Sequence, residues 1–207
     1  MNSYKTVKEL AEFKFEDRKS VFIGYCKPVS NESEATDFIA SVKKRYPDAR
    51  HWVYAYVLRE NSAMRYTDDR EPQGTAGMPV LDALRKNGVT DAVIVVVRYF
   101  GGILLGTGGL VHAYSESALG ALRAAKMIVY NTYAYAMITV NYSDYQKIGG
   151  VLSELGFVAD DVDYSDVVCI SGSVIADEYE NLCQKVSELT SARAEISFIE
   201  KKYSYRE

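Results

Sequence analysis

Residues 66–79 read YTDDREPQGTAGMP, residues 92–97 read AVIVVV, and residues 98–114 read RYFGGILLGTGGLVHAY. The short apolar run lies between turn signals, which predicts a strand that is buried on both faces. We call the flanking segments the first glycine loop (residues 66–79) and the second glycine loop (residues 98–109). Each loop leads into a helix-like pattern. We therefore expect two helix N-termini, with free backbone N–H groups, to lie at one shared surface that suits an anion.

The rest of the N-terminal half supplies the partners of this strand. Alternation of apolar and charged residues predicts a hairpin, and apolar residues at helical spacing predict three helices. The helix that follows the second glycine loop has Thr107 as its predicted N-cap. The predicted strands are 11–16, 21–27, 51–59, 64–67 and 91–99, and the predicted helices are 31–46, 76–86 and 108–125.

The pattern changes beyond a composition break at residues 125–132. Strands are predicted at 135–142, 157–164, 167–175 and 194–203, and helices at 143–155, with Ser143 as the cap, and 177–190. Their order is βαββαβ, the ferredoxin-like split pattern. We therefore predict an α+β protein of two domains, with residues 1–130 in the first and residues 131–207 in the second.

Composition limits the classes of protein that need to be considered. The chain has 207 residues, with 48% hydrophobic residues, 25% charged residues and a net charge of −4. These values are typical of a globular protein and argue against a surface that binds nucleic acid throughout. The three cysteines have no CxxC spacing, and no apolar run approaches the roughly 18 residues of a membrane span. The sequence predicts a cytoplasmic protein that needs no membrane and no cofactor.

Acidic residues cluster in the first glycine loop. Asp68, Asp69 and Glu71 lie within four residues, and His51 belongs to a preceding strand. Such carboxylates could hold a hard cation such as Mg²⁺, which would make them metal ligands. They could instead cap the next helix or pair with Arg98. We favour the second interpretation, because adjacent carboxylates in a loop often diverge.

The second glycine loop has the features of an anion site without a known phosphate motif. It lacks the Lys-Ser/Thr of a Walker A loop and does not complete the GxGxxG fingerprint. Its glycines could form a backbone nest, or could only turn the chain. Arg98 could bind phosphate and Tyr99 could stack on a base, unless Arg98 pairs with Asp68 or Asp69. The candidate ligand-binding residues are His51, Asp68, Asp69, Glu71, Gly74, Thr75, Gly77, Arg98, Tyr99, Gly101, Gly102, Gly106, Thr107, Gly108, Gly109 and His112.

The two loops closely resemble the signature of the YigZ/IMPACT family. The first matches DDGEPxGTAG at residues 68–77, except that Arg70 replaces the usual glycine, and the second matches RY(F/Y)GGxxLGTGGLV at residues 98–111. His51 also fits a family position. The resemblance implies an N-terminal domain with the ribosomal protein S5 domain 2-like fold. It implies a C-terminal ferredoxin-like domain similar to the last domain of elongation factor G.

The resemblance also suggests a function. Eukaryotic relatives regulate translation by binding a protein, so we expect a translation-linked regulator that binds RNA, the ribosome or a protein partner through the two glycine loops. We assign no catalytic residue and consider an enzyme the weaker hypothesis. The alternative is an enzyme that binds a small-molecule phosphate or nucleotide, with metal assistance from the acidic residues and with Arg98 on the phosphate.

Overall fold

A computed structural model describes residues 3–206 of the chain. The chain folds into two compact units, one formed by residues 4–129 and the other mainly by residues 130–206. Both units combine helices with sheets, so the protein is of mixed α and β structure with two domains, as predicted. Within residues 3–206, no helix is both long enough and apolar enough to cross a bilayer.

The first unit contains six strands and three α-helices among its described residues. All eight predicted elements are present, with ends that differ by a few residues, whereas the strand at Tyr4–Val7 was not predicted. The strands are β1 (Tyr4–Val7), β2 (Ala11–Asp17), β3 (Ser20–Pro28), β4 (His51–Val57), β5 (Met64–Thr67) and β6 (Ala92–Tyr99). The helices are α1 (Glu32–Arg45), α2 (Gly77–Lys86) and α3 (Gly106–Ala124).

Strand β6 is the centre of an antiparallel sheet with the order β2–β3–β6–β4–β5. Ile94 and Val96 pack in the core formed with α2 and α3, whereas Val93, Val95 and Val97 pack in the core that includes α1. All five side chains are fully buried, which confirms the prediction of a strand covered on both faces. Each buried valine or isoleucine contributes about 1.5–3 kcal/mol of hydrophobic stabilisation.

The strand directions bring the two glycine loops together. β4 is antiparallel to both β5 and β6, so β5 and β6 run in the same direction. The end of β5, where the first glycine loop begins, and the end of β6, where the second begins, therefore lie at one edge of the sheet. The start of β4 lies there too, because His51 pairs with Arg98 in the ladder.

The second unit has the predicted βαββαβ order: β7 (Met127–Val140), α4 (Tyr142–Glu154), β8 (Val158–Tyr164), β9 (Val168–Ile175), α5 (Tyr179–Thr190) and β10 (Glu195–Tyr205). In the sheet, β7 lies between β10 and β9, and β8 lies on the far side of β9. This is the ferredoxin-like arrangement. Asp144 is buried at the start of α4, and its carboxylate accepts hydrogen bonds from Arg193 and Lys147. These hydrogen bonds hold the pKa of Asp144 well below its usual value.

Several local predictions are wrong. Helix α3 begins at Gly106, and the residue at its N-cap is Leu105, which offers no side-chain hydrogen bond. Thr107 is therefore inside the first turn and is not the cap. The cap of α4 is Asn141 and not Ser143, because the Asn141 side chain accepts the Asp144 N–H at 2.8 Å. Strand β7 starts eight residues before the predicted Tyr135, since its Tyr, Val and Thr residues all suit a strand.

Candidate functional site

A buried ion pair joins the two glycine loops. Nη1 of Arg98, the penultimate residue of β6, donates to Oε1 of Glu71 at 2.5 Å, and the two side chains are only 7% and 4% exposed. The alternative in which Arg98 pairs with Asp68 or Asp69 is therefore wrong. The broader interpretation, that a carboxylate of the first glycine loop pairs with Arg98, is confirmed, and the partner is Glu71. A charge-assisted pair without competing water fixes the first glycine loop to the end of the central strand.

Two further side chains surround the Glu71 carboxylate. The Tyr114 hydroxyl, from α3, donates to Glu71 Oε1 at 2.8 Å, and His51 Nε2 lies 3.8 Å from the same oxygen. Burial, followed by the nearby charge of Glu71, raises the pKa of Tyr114 well above its ordinary value. His51 Nδ1 lies 2.8 Å from the carbonyl oxygen of Asp69, which can only accept, so Nδ1 carries a proton. Tyr114 is not among the candidate residues that the sequence indicated.

The other two acidic residues bind the backbone. Asp68 accepts the N–H groups of Gly74, Ala76 and Gly77 at 2.8–3.1 Å and so caps the N-terminus of α2. Asp69 accepts the Trp52 N–H at 2.7 Å. The three carboxylates thus diverge, and residues 3–206 contain no group of three His, Cys, Asp or Glu residues arranged to hold a metal ion. The residues proposed as weak metal ligands have structural partners instead.

Some of the candidate glycines have packing roles. A Cβ atom at Gly77 would lie 2.5 Å from the Thr67 carbonyl oxygen, and one at Gly101 would lie 2.0 Å from the Lys19 carbonyl carbon. Each therefore permits close contact between backbone segments. Gly74 donates to Asp68, and the Thr75 hydroxyl donates to the Pro72 carbonyl at 2.6 Å. These four candidates shape the loops themselves.

Among the remaining glycines of the second loop, Gly106 lines a cavity, Gly102 and Gly108 are exposed, and Gly109 is half-buried. The first turn of α3, with Gly106 and Thr107, lines a cavity of about 300 Å³ together with Arg98 and Glu71. A second cavity of about 230 Å³ shares Arg98 and Leu104 with the first. A third, of about 370 Å³, shares Arg50 and His51 with the second and adds Arg70. We call these three adjoining cavities the loop groove.

The rim of the loop groove is basic and apolar. Arg50 and Arg70 are exposed, and Leu104 is 82% exposed beside the exposed side chains of Phe100 and Ile103. Arg70 has a φ of +69°, in the left-handed region, which explains why a glycine suits this position in the motif. Because exposure cannot be read from a motif, the roles of Arg70, Phe100 and Leu104 could not be found by sequence reasoning.

Two candidates lie away from the groove. Tyr99 follows Arg98 in the strand and so points to the opposite face of the sheet, where its hydroxyl donates to Asp48 at 2.9 Å. His112 is exposed on α3 and contacts the edge of the Phe15 ring, at 6.1 Å between ring centres. Neither residue lines the cavities around Arg98, so the structure does not place them with the other candidates.

Comparison with known proteins finds one domain model in each of the two compact units of the chain. The Impact N-terminal domain model matches residues 18–122, and a domain of unknown function, DUF1949, matches residues 138–193. The chain is 36% identical to the IMPACT family member YvyE of Bacillus subtilis, over 95% of this chain and 91% of that protein. It is 45% identical to the IMPACT family member YigZ of Escherichia coli, over 52% of this chain and 54% of that protein.

A solved structure is similar to this protein over nearly the whole chain. The crystal structure of a hypothetical protein matches with a TM-score of 0.60 and 30% identity, and the match covers 97% of this chain and 98% of that one. Matches extend to eukaryotes, since the IMPACT homolog of Dictyostelium discoideum is 38% identical over 46% of this chain and 29% of that protein. Both glycine loops lie inside the matched N-terminal domain. The chain therefore belongs to the IMPACT family.

Proposed function

We propose that this protein is a translation-linked regulator that binds RNA, free or within the ribosome, through the loop groove. The observation that carries the proposal is the convergence of the two glycine loops on one groove whose lining includes Arg50, Arg70 and Arg98. The link to translation rests on membership of the IMPACT family, some of whose members regulate translation. The cytoplasm is the compartment we propose, which suits its free cysteines.

The rim of the groove has the side chains that single-stranded RNA requires. Exposed guanidinium groups at Arg50 and Arg70 can contact phosphates, and each such contact releases counterions. The exposed ring of Phe100 offers a surface on which a base can stack. The charge is local: the net charge of the chain is −4, so binding through this groove would not require a basic surface throughout.

The state of the carboxylates favours binding over metal-assisted phosphate chemistry. Catalysis of that kind needs carboxylate oxygens that are free to hold a cation next to the substrate. Asp68 is bonded to three backbone N–H groups, Asp69 to one, and Glu71 to Arg98 and Tyr114. Recruiting Asp68 would uncap α2, and recruiting Glu71 would break a buried ion pair. Recruiting Asp69 would remove the acceptor of the Trp52 N–H.

Binding to ribosomal particles and to a structured RNA, measured across a range of salt concentrations, tests the proposal. We expect affinity to fall steeply with salt, and we expect the double variant Arg50→Gln/Arg70→Gln to reduce the slope of log K against log salt by about 1.5. The matched control, Arg85→Gln/Lys86→Gln, neutralises two exposed cations at the other end of α2 and should leave the slope unchanged.

Three results would contradict this function. Negligible binding at low salt would exclude RNA as the partner. An equal loss in both double variants would mean that the charge of the whole protein, and not the groove, determines binding. Capture of a protein partner that persists after nuclease treatment, with no RNA binding, would indicate a module for protein interaction.

A further inference from the structure

The helix starts of this protein differ in one respect. Within residues 3–206, four of the five α-helices have a carboxylate at the N-terminus: α1 has Glu32 and Glu34, α2 receives Asp68, α4 has Asp144 and α5 has Glu180. Helix α3 has no acidic residue in its first turn, and its N-cap residue, Leu105, makes no side-chain hydrogen bond to the helix. Because α3 is also the longest of the five, at 19 residues, its positive N-terminal end lacks the compensation that the other helices have.

A second and independent feature lies beside this helix start. Arg98 is 6% exposed, and among the described residues its buried Nε has no hydrogen-bond partner. Its Nη1 is bonded to Glu71, while the rings of Phe22 and Phe100 lie 5.4 and 5.7 Å from its guanidinium carbon. Arg98 lines the cavity of about 300 Å³ together with Gly106 and Thr107, so a buried cation and a helix N-terminus border the same space.

From this arrangement we infer that the first turn of α3 and Arg98 bind one phosphate group of the ligand, an inference that rests on the proposed function. The exposed backbone at Gly106 and the exposed Thr107 can donate to phosphate oxygens, as helix N-termini do in many phosphate sites. Glu71 neutralises the charge of Arg98 but also lines the cavity, so the positive helix end supplies the additional attraction for an anion. Leu104 and Leu110 add apolar side chains to the lining of the same cavity.

The first test uses inorganic phosphate and the full chain. Backbone amide NMR signals are followed while phosphate replaces chloride at constant ionic strength. We expect saturable shifts at the amides of Gly106 and Thr107. Saturable shifts confined to other regions, or no shifts, would overturn the inference.

The second test uses Thr107→Asp, which supplies a carboxylate at the α3 start. The variant should lose at least tenfold in phosphate affinity without a lower melting temperature, because the new carboxylate would compete with phosphate for the same N–H groups. The matched control is Ser143→Asp, which adds the same charge at the second position of α4 and should bind phosphate as the parent chain does. Unchanged affinity in Thr107→Asp, or an equal loss in the control, would overturn the inference.

The same three proteins, tested with a structured RNA, separate this inference from the proposed function. RNA binding without phosphate binding at α3 would reject the phosphate site and leave the RNA function in place. Phosphate binding at α3 without RNA binding would support the phosphate site and reject RNA as the ligand. The ligand would then be a smaller compound that contains phosphate. Tenfold loss of both in Thr107→Asp alone is the result that we expect.

Discussion

The N-terminus of α2 and the N-terminus of α3 lie in the same domain, and each follows one of the two glycine loops, yet the protein treats them differently. At α2, Asp68 accepts three backbone N–H groups from the loop and the first turn. At α3, the N-cap residue Leu105 makes no side-chain hydrogen bond to the helix, and the first turn contains only glycines and Thr107. The backbone N–H groups at the end of the first loop therefore have an acceptor within that loop, whereas the backbone of the second loop is exposed to the groove.

This difference suggests that the first loop of the signature mainly stabilises the fold, whereas the second is available to a ligand. The acidic residues of the first loop contribute to the fold, because their oxygens already have donors from the protein. At the start of α3, Gly106 and Gly108 are exposed and Gly109 is half-buried, so this segment contributes little to the core. Arg98 belongs to both loops, since it is bonded to Glu71 and lines the cavity beside α3.

The largest effect is expected from Arg98→Ala. The substitution leaves Glu71 as an unpaired buried carboxylate, so the free energy of unfolding should fall by about 3–5 kcal/mol. Chemical denaturation measures this change. Arg65→Ala is the control, because it breaks an exposed ion pair with Glu32 and should cost less than about 1 kcal/mol. A small loss in Arg98→Ala would mean that Arg98 serves a ligand and does not hold the first loop.

A smaller effect is expected from Asp68→Ala, which opens the N-terminus of α2. Loss of the acceptor for three N–H groups should lower the free energy of unfolding by about 2 kcal/mol. Asp68→Asn keeps an acceptor oxygen and should lose less. Added phosphate should then stabilise Asp68→Ala more than the parent chain, because α2 would have become a second open helix end. If phosphate stabilised Asp68→Ala and the parent chain equally, Asp68 would not be what closes the N-terminus of α2 to anions.

Much of the fold could be predicted because the responsible residues are local and repetitive. Five consecutive apolar residues at 93–97 are enough to predict a strand between two layers, and the order of elements after residue 130 is enough to predict the ferredoxin-like unit. Tyr99 was grouped with Arg98 as a candidate for one site, although strand alternation places the two side chains on opposite faces of the sheet.

The partner of Arg98 could not be predicted from spacing. Asp68, Asp69 and Glu71 all lie within one stretch of four residues, and the backbone decides which of them points inward. Asp69 and Arg70 both have positive φ angles, of 43° and 69°, and this turn sends Asp68 towards α2 and Glu71 into the core. Two consecutive left-handed residues without glycine are uncommon, so the pattern gave no indication of them.

The same turn predicts a change of about 0.5–1 kcal/mol in the free energy of unfolding when Arg70 is replaced. Arg70→Gly should raise the free energy of unfolding by this amount, because glycine adopts a φ of +69° without the steric cost of a Cβ atom. The reverse change at Gly74, which has a φ of +77°, should lower it, so Gly74→Ala is the matched control. If Arg70→Gly destabilises the chain, the hydrogen bond from Arg70 Nη2 to the Arg50 carbonyl, at 3.4 Å, contributes more than the strain.

The smallest effect is expected from a substitution at the N-terminus of α3. Thr107→Asp should raise the free energy of unfolding by about 0.5 kcal/mol, because α3 would gain the carboxylate that its first turn lacks. The gain should largely disappear in 1 M salt, where screening acts over about 3 Å. Ser143→Asp should gain less, since α4 already has Asn141 and Asp144 at its start. A loss of stability in Thr107→Asp would show that the N–H groups of α3 already have an acceptor in the free protein. The two helix starts would then be alike, and the asymmetry between the loops would lie only in which residue provides the cap.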